Sequence, residues 1–251
     1  MPQKRGIPYS GLPGFAYRCF KKTILLVFVT IKPCTIDHAR QLDGDPGAYV
    51  PHSYRAALGP ALRATLAEIG EHGWDVWAHF DRTVRDHRWH PFVPADYENV
   101  LEALVALRAP GLRFLEWGSA TGVIAIMADL LGYDACGIEL DEDLVHISRD
   151  IAARYHSEAR FVTGSFLPAG YSWRPKGGDG RSGTVGDGPS GYLLLDRPLD
   201  EFDLVYAFPW GGEEDMMHDL MHRHSRPGAG LLLNRVSGKV ELFRRGKQEA
   251  W

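Results

Sequence analysis

The fold is decided by residues 113–122, which read RFLEWGSATG. The first five residues form a short, mostly apolar run, which is typical of a buried strand, and Gly118 and Gly122 mark a tight turn. Residues 123–131 follow as an apolar run of helical length. Glycines in such a turn let the backbone approach a ligand and present N–H groups at a helix N-terminus. The segment predicts a strand, a ligand-binding turn and a helix.

Strands and helices alternate along the rest of the chain. Such alternation produces right-handed βαβ units and a mostly parallel sheet covered on both faces. The predicted fold is therefore a doubly wound α/β sheet with an N-terminal helical cap. We predict strands over residues 113–117, 135–138, 160–162, 202–206, 230–233 and 239–243, and helices over 53–84, from Asp96 to Pro110, over 123–131, from Asp141, and over 213–224.

Composition changes along the chain indicate its organisation. Residues 1–48 are rich in Gly, Pro and basic side chains and lack a helical period, so we interpret them as a poorly determined leader. Residues 49–95 are predicted as the helical cap and residues 96–251 as the main domain. Within that domain, residues 168–190 are dense in Gly, Asp and Ser, which predicts a flexible insertion.

Charge and composition indicate what kind of protein this is and which partners it is expected to bind. A chain with 45% hydrophobic residues, 24% charged residues and a net charge of −4 is an ordinary folded protein without general attraction for a polyanion. A small-molecule or protein partner is therefore favoured over a nucleic acid. The apolar run 24–31 is shorter than the roughly 20 residues of a spanning helix, so stable membrane association is not expected. Cys19, Cys34 and Cys136 show no metal-binding spacing, which suits a reducing cytoplasm.

The glycine turn also resembles the first motif of Rossmann-like (class I) S-adenosylmethionine-dependent methyltransferases, which runs acidic-x-Gly-x-Gly-x-Gly. Glu116, Gly118 and Gly122 match this motif, whereas Ala120 departs from it. A dinucleotide-binding motif fits poorly, because it needs glycines where Ala120 and Val123 stand. The resemblance covers about residues 96–244 and implies S-adenosylmethionine as the cofactor and methyl transfer as the activity.

The resemblance also implies which residues hold the donor. In this family an acidic residue at the end of the second strand binds both ribose hydroxyls, and Glu139 occupies that place. A carboxylate suits a diol because its two oxygens accept two hydrogen bonds. The turn from Glu116 to Gly122 would wrap the amino-acid end, and residues near the second and third strands would contact adenine. The predicted donor-binding residues are Glu116, Gly118, Ser119, Gly122, Glu139, Leu140, Ser165 and Phe166.

Catalytic candidates follow the fourth predicted strand. Residues 207–210 read AFPW, which is similar to, but does not reproduce, the Asn/Asp-Pro-Pro-Tyr motif of methyltransferases acting on exocyclic amines. Glu213 or Glu214 is a candidate base or acceptor-orienting group, and Trp210 a candidate apolar wall. A structural role for Glu213 is equally favoured, because acids in the first turn of a helix complement the helix dipole. Tyr206 and Phe208 fit core strand positions, and the methyl acceptor is not identified.

Two other functions remain open at this point. The domain could bind S-adenosylmethionine or S-adenosylhomocysteine without catalysis. Alternatively, His218 and His222 lie one helical turn apart, as in metal-dependent hydrolases, but no third ligand is evident. The apolar face of the same helix already explains its pattern, so we predict solvated histidines and no metal. The sequence leaves the oligomeric state open.

Overall fold

A computed structural model describes residues 57–85, 90–173 and 188–251. The predicted leader, residues 1–48, lies outside these ranges, and so do residues 174–187 of the predicted insertion. Among the described residues, no helix is long and apolar enough to cross a membrane.

A seven-stranded sheet forms the centre of the domain, in the order β3-β2-β1-β4-β5-β6-β7. The first five strands pair in parallel, whereas β6 and β7 add antiparallel strands at one edge. This confirms the predicted doubly wound, mostly parallel fold. The exposed strand β7 was not predicted, because its residues, KQE, carry no apolar pattern. The strands are β1 Arg113–Trp117, β2 Asp134–Glu139, β3 Arg160–Thr163, β4 Leu204–Ala207, β5 Gly230–Asn234, β6 Val240–Arg244 and β7 Lys247–Glu249.

Six α-helices are present in the described part of the chain. Two predicted N-caps are confirmed: the Asp96 carboxylate accepts from the Asn99 N–H at 3.1 Å, and that of Asp141 accepts from the Asp143 N–H at 2.8 Å. The short α5 was not predicted. The helices are α1 Pro60–Phe80, α2 Tyr97–Leu107, α3 Val123–Leu130, α4 Glu142–Arg154, α5 Gly191–Leu195 and α6 Glu214–His224, with a π-helical turn at Asp81–Arg85 and a 3-10 turn at Leu199–Glu201.

Helices α1 to α4 contribute to the core on one face of the sheet, and α5 and α6 to the core on the other. The cap helix α1 packs closely on α3, because a Cβ at Gly73 would lie only 2.8 Å from Cγ2 of Val123. The predicted helical cap is therefore part of the same core as the glycine turn. Strand β1 lies between β2 and β4, where the strand order reverses, and ligands of doubly wound folds bind at the carboxyl ends of strands at such a point.

Candidate functional site

The turn between β1 and α3 has a left-handed backbone at three positions. Gly118, Ala120 and Gly122 have φ angles of +65°, +45° and +72°. Glycine adopts these angles without strain, whereas alanine pays a steric cost. A Cβ at Gly122 would also lie 2.5 Å from Cε1 of Phe161, so this glycine is required by its neighbours as well as by its backbone. Ala120, the departure from the family motif, therefore adopts a conformation that favours glycine.

Glu139, at the end of β2, is joined to this turn by its carboxylate. Oε2 accepts from the Ala120 N–H at 2.8 Å, and Oε1 accepts from the Asp141 N–H at 3.0 Å. Burial raises the pKa of the Glu139 carboxyl, and the backbone donors offset part of that rise. A carboxylate has about four acceptor sites, so Glu139 retains acceptor capacity beside its backbone donors.

Glu116 is buried at the end of β1, with a relative exposure of 5%. Its Oε2 accepts from the Ala125 N–H at 2.9 Å, in the first turn of α3. Desolvation raises the pKa of the Glu116 carboxyl well above its usual range. Glu116 pairs in register with Tyr206 of β4, and burial with the Glu116 charge nearby raises the pKa of that tyrosine well above its usual range.

A small cavity of about 40 Å³ lies beside the turn. Three of the residues predicted to bind the methyl donor line it, together with the segment that precedes α2 and the end of β4. Tyr206 and Phe208, which fitted core positions, therefore also border the candidate site. The only sequence signal for this was their place at the end of a strand flanking the switch point. The lining residues are Phe92, Val93, Pro94, Ala95, Tyr97, Glu116, Gly118, Ser119, Ala120, Thr121, Val123, Ile124, Tyr206 and Phe208.

A second cavity, of about 400 Å³, lies between α1 and α2. Trp74 and Leu101 line it, and Tyr97 borders both cavities. None of the residues predicted to bind the methyl donor lines this larger cavity. The candidate site is therefore the smaller cavity, together with the neighbouring ends of β2 and β3.

Comparisons with known proteins concern part of the chain. No family model matches. The chain is 39% identical over 128 residues to a ribosomal protein L11 methyltransferase of Ralstonia pickettii (strain 12J). It is 30% identical over 128 residues to the protein of the same name from Ralstonia nicotianae. Over that stretch the chain resembles a methyltransferase. Each match covers 51% of this chain and 33% of the relative, so the chain spans one third of the length of these relatives.

Solved structures similar to this methyltransferase-like domain include an RNA methyltransferase from Salinibacter ruber in complex with S-adenosyl-L-homocysteine. That match has a TM-score of 0.41 and 18% identity, and covers 59% of this chain and 81% of the other. A second similar structure is a SAM-dependent methyltransferase from Thiobacillus denitrificans, also with S-adenosyl-L-homocysteine. Its TM-score is 0.38 and its identity 22%, and the match covers 61% of this chain and 53% of the other.

The residues predicted beside adenine lie further along the carboxyl edge of the methyltransferase-like domain. Leu140 is half-buried after β2, and a Cβ at Gly188 would lie 3.2 Å from its Cδ2. Ser165 is buried, and its N–H donates to the Pro189 carbonyl at 2.8 Å. The last residues of the predicted insertion therefore pack against this edge, which the sequence did not indicate. The ring of Phe166 stacks on Trp117 at a centroid distance of 5.1 Å and belongs to the core.

The catalytic candidates follow β4, as predicted. The Glu213 side chain is buried, and its Oε2 accepts from the Trp210 N–H at 2.9 Å, while the Glu213 N–H donates to the Trp210 carbonyl at 3.1 Å. Glu213 therefore holds the turn that carries the half-buried Trp210. The neighbouring Glu214 forms an ion pair with Arg235, whose Nη2 lies 2.8 Å from Oε1, and the guanidinium lowers the pKa of this carboxyl. Arg235 was not singled out from the sequence.

The histidines of α6 were also considered as metal ligands. Within residues 57–85, 90–173 and 188–251, no group of three or more His, Cys, Asp or Glu side chains is arranged to hold a metal ion. His218 differs from the prediction of a solvated side chain, because its Nε2 lies 3.5 Å from Glu214 and its ring contacts that of Phe243 at 4.7 Å between centroids. His222 is exposed, as expected.

Proposed function

We propose that this chain binds S-adenosylmethionine and transfers its methyl group to an acceptor. The observation that carries the proposal is the junction of Glu139 with the glycine turn, through the hydrogen bond from the Ala120 N–H. A half-buried carboxylate with remaining acceptor capacity fits a ribose diol. The similarity to methyltransferases over 128 residues supports the same donor.

The chemistry asked of the protein is modest. When bound, the donor supplies a methyl group that its sulfonium already activates. The protein therefore has to hold an acceptor lone pair in line with the methyl carbon. We assign the ribose to Glu139, the amino-acid end to the turn from Glu116 to Gly122, and the acceptor to the end of β4. There Trp210 would form an apolar wall, and the main role of Glu213 would be to hold the turn that carries Trp210.

A protein is the acceptor class that we propose. The two Ralstonia relatives are named as ribosomal protein L11 methyltransferases, which makes that protein the first acceptor to test. The net charge of −4 gives no general attraction for RNA. We also propose a cytoplasmic location, since the buried Cys136 is a free thiol, which a reducing compartment preserves.

Donor binding is the first test. Calorimetry with S-adenosylmethionine and S-adenosylhomocysteine should show binding to the wild-type chain. Glu139→Gln removes the charge that two ribose hydroxyls would share, so affinity should fall about 100-fold or more. Glu142→Gln makes the same change at an exposed site on α4 and should leave affinity unchanged. Thermal unfolding of each variant checks that it is folded, and no heat from either ligand with the wild-type chain would contradict the proposal.

Methyl transfer is the second test. Donor labelled in its methyl group is incubated with the chain and either purified ribosomal protein L11 or a cell extract. We expect label in the protein fraction, and none with Glu139→Gln. Label in RNA or in small molecules would contradict a protein acceptor and would identify the acceptor class instead. Donor binding without transfer to any fraction would indicate a non-catalytic binding module instead of an enzyme.

A further inference from the structure

The segment that precedes α2 forms one side of the small cavity beside the turn. Four consecutive residues of this segment, 92–95, line that cavity. The ring of Phe92 is buried and packs in a small core with Phe80 and Leu144. Ala120, in the middle of the turn, packs against the same core. The position of residues 92–95 relative to the turn therefore helps to set the shape of the cavity.

His90 joins this segment to the start of α4 by two hydrogen bonds. Its Nδ1 accepts from the Phe92 N–H at 3.1 Å, and its Nε2 lies 3.1 Å from Oδ2 of Asp141. Since Nδ1 is the acceptor, the proton of a neutral imidazole lies on Nε2, which donates to the carboxylate. The hydrogen bond from His90 lowers the pKa of the Asp141 carboxyl, so the acceptor stays ionised. The two side chains are 13% and 23% exposed, so water has limited access to this link.

Asp141 continues this connection to the carboxylate that we assign to the ribose. Its N–H donates to Oε1 of Glu139 at 3.0 Å, and Oε2 of Glu139 accepts from the turn at the Ala120 N–H. The other side-chain oxygen of Asp141, Oδ1, accepts from the Asp143 N–H as the N-cap of α4. One residue therefore carries the helix cap, the contact with Glu139 and the link to His90.

We infer that His90 is a positioning residue of the donor site, which holds residues 92–95 in place relative to Glu139 through Asp141. This inference rests on the proposed function and names a residue that controls donor affinity within it. A ligand binds the competent arrangement of its site, so the apparent affinity falls with the fraction of molecules that hold that arrangement. A hydrogen bond to a charged group is strong enough to change such a fraction about tenfold.

The test divides the two hydrogen bonds of His90 between two amide variants. An asparagine amide ends near the place of Nδ1 and can accept from the Phe92 N–H, as in an Asx turn, but it stops short of Asp141. A glutamine amide reaches the place of Nε2 and can donate to Asp141, but it loses the bond to Phe92. In calorimetry on the full chain, His90→Asn should weaken S-adenosylhomocysteine binding about tenfold, whereas His90→Gln should stay within about threefold of the wild type.

The paired variants separate positioning from a general loss of structure. Each variant loses one hydrogen bond of His90, so thermal unfolding should show similar stability for the two. Equal losses of affinity in both variants would indicate a merely structural role and would overturn the inference. The matched control is His72→Asn, because His72 is half-buried, packs its ring on Tyr155 and lines neither cavity. This control should bind S-adenosylhomocysteine as the wild type does.

A second variant tests the acceptor end of the link. Asparagine caps helices as well as aspartate does, but in Asp141→Asn the amide must either turn an N–H toward the Nε2–H of His90 or give up the cap. Asp141→Asn should therefore weaken S-adenosylhomocysteine binding about as much as His90→Asn, and the double variant should bind no more weakly than either single variant. Additive losses, about a hundredfold together, would show two independent effects and would contradict the inference.

Two further outcomes distinguish failure of the inference from failure of the proposed function. If the wild-type chain binds S-adenosylhomocysteine and His90→Asn binds it equally well, residues 92–95 are held without His90. The inference then fails while the proposed function stands. If the wild-type chain does not bind S-adenosylhomocysteine, the proposed function fails and the inference fails with it.

Discussion

Replacing Gly122 with alanine should destabilise the domain more than the same change at Gly111. The two glycines have nearly the same backbone conformation, with φ angles of +72° and +71°. A Cβ added at Gly111 meets no atom within 4 Å, whereas one added at Gly122 would lie 2.5 Å from the Phe161 ring and 2.8 Å from Cβ of Ser148. Gly111→Ala therefore measures backbone strain alone, and Gly122→Ala adds steric overlap.

The expected magnitudes follow from these two contributions. An alanine in the left-handed conformation destabilises the folded state by about 1–2 kcal/mol. Alanine also lowers the conformational entropy of the unfolded chain, which stabilises the protein by about 0.4–1 kcal/mol. Gly111→Ala should therefore lower the free energy of unfolding by about 1 kcal/mol. Overpacking in a close-packed site adds about 1–3 kcal/mol, so Gly122→Ala should lower it by about 2–4 kcal/mol.

Urea unfolding followed by tryptophan fluorescence provides the assay, with the slope of the transition compared between variants. Equal losses of stability at the two positions would refute the reasoning, because they would mean that Phe161 and Ser148 move aside without cost. Binding of S-adenosylhomocysteine supplies a second measurement. Gly122→Ala should weaken it by shifting the turn, whereas Gly111→Ala, at an exposed position before β1, should leave it unchanged.

Three further predictions concern the same edge of the sheet. Ala120→Gly relieves a backbone at φ +45° and should raise the free energy of unfolding by up to about 1 kcal/mol in the same assay; a loss of stability would contradict this. Asp141→Ala removes the N-cap of α4 and the 3.1 Å contact with His90, and should cost about 1–3 kcal/mol. Asp143→Ala, at an exposed first-turn acid, is its control and should cost less than about 0.5 kcal/mol; equal losses would argue against the cap. Burial raises the pKa of Glu139, and its ionised form is the stronger acceptor for a diol, so affinity for S-adenosylhomocysteine should be full above that pKa and fall as the pH drops through it. In calorimetry on folded protein, the loss should begin at a higher pH than for an ordinary glutamate near about 4.3, and an affinity that stays constant down to that pH would contradict the placement of the ribose.

The sequence by itself determined most elements of the fold, without α5 and β7, and the edge at which a ligand would bind. Hydrophobic period, glycine turns and cap residues are local signals, so the sequence alone predicts β1, α3 and the helix caps Asp96 and Asp141. The place of Glu139 also followed from the sequence, because the carboxyl ends of neighbouring parallel strands meet at one edge.

Tertiary structure decided which of these residues meet and what surrounds them. The register that sets Glu116 beside Tyr206 joins strands far apart in the chain, and no local pattern encodes such a pairing. The same holds for Arg235, which reaches Glu214 from the end of β5, and for the ring of Phe166, which stacks in the core on Trp117. Burial and non-local contact are properties of the packed chain, so these pairings are known only from the assembled sheet.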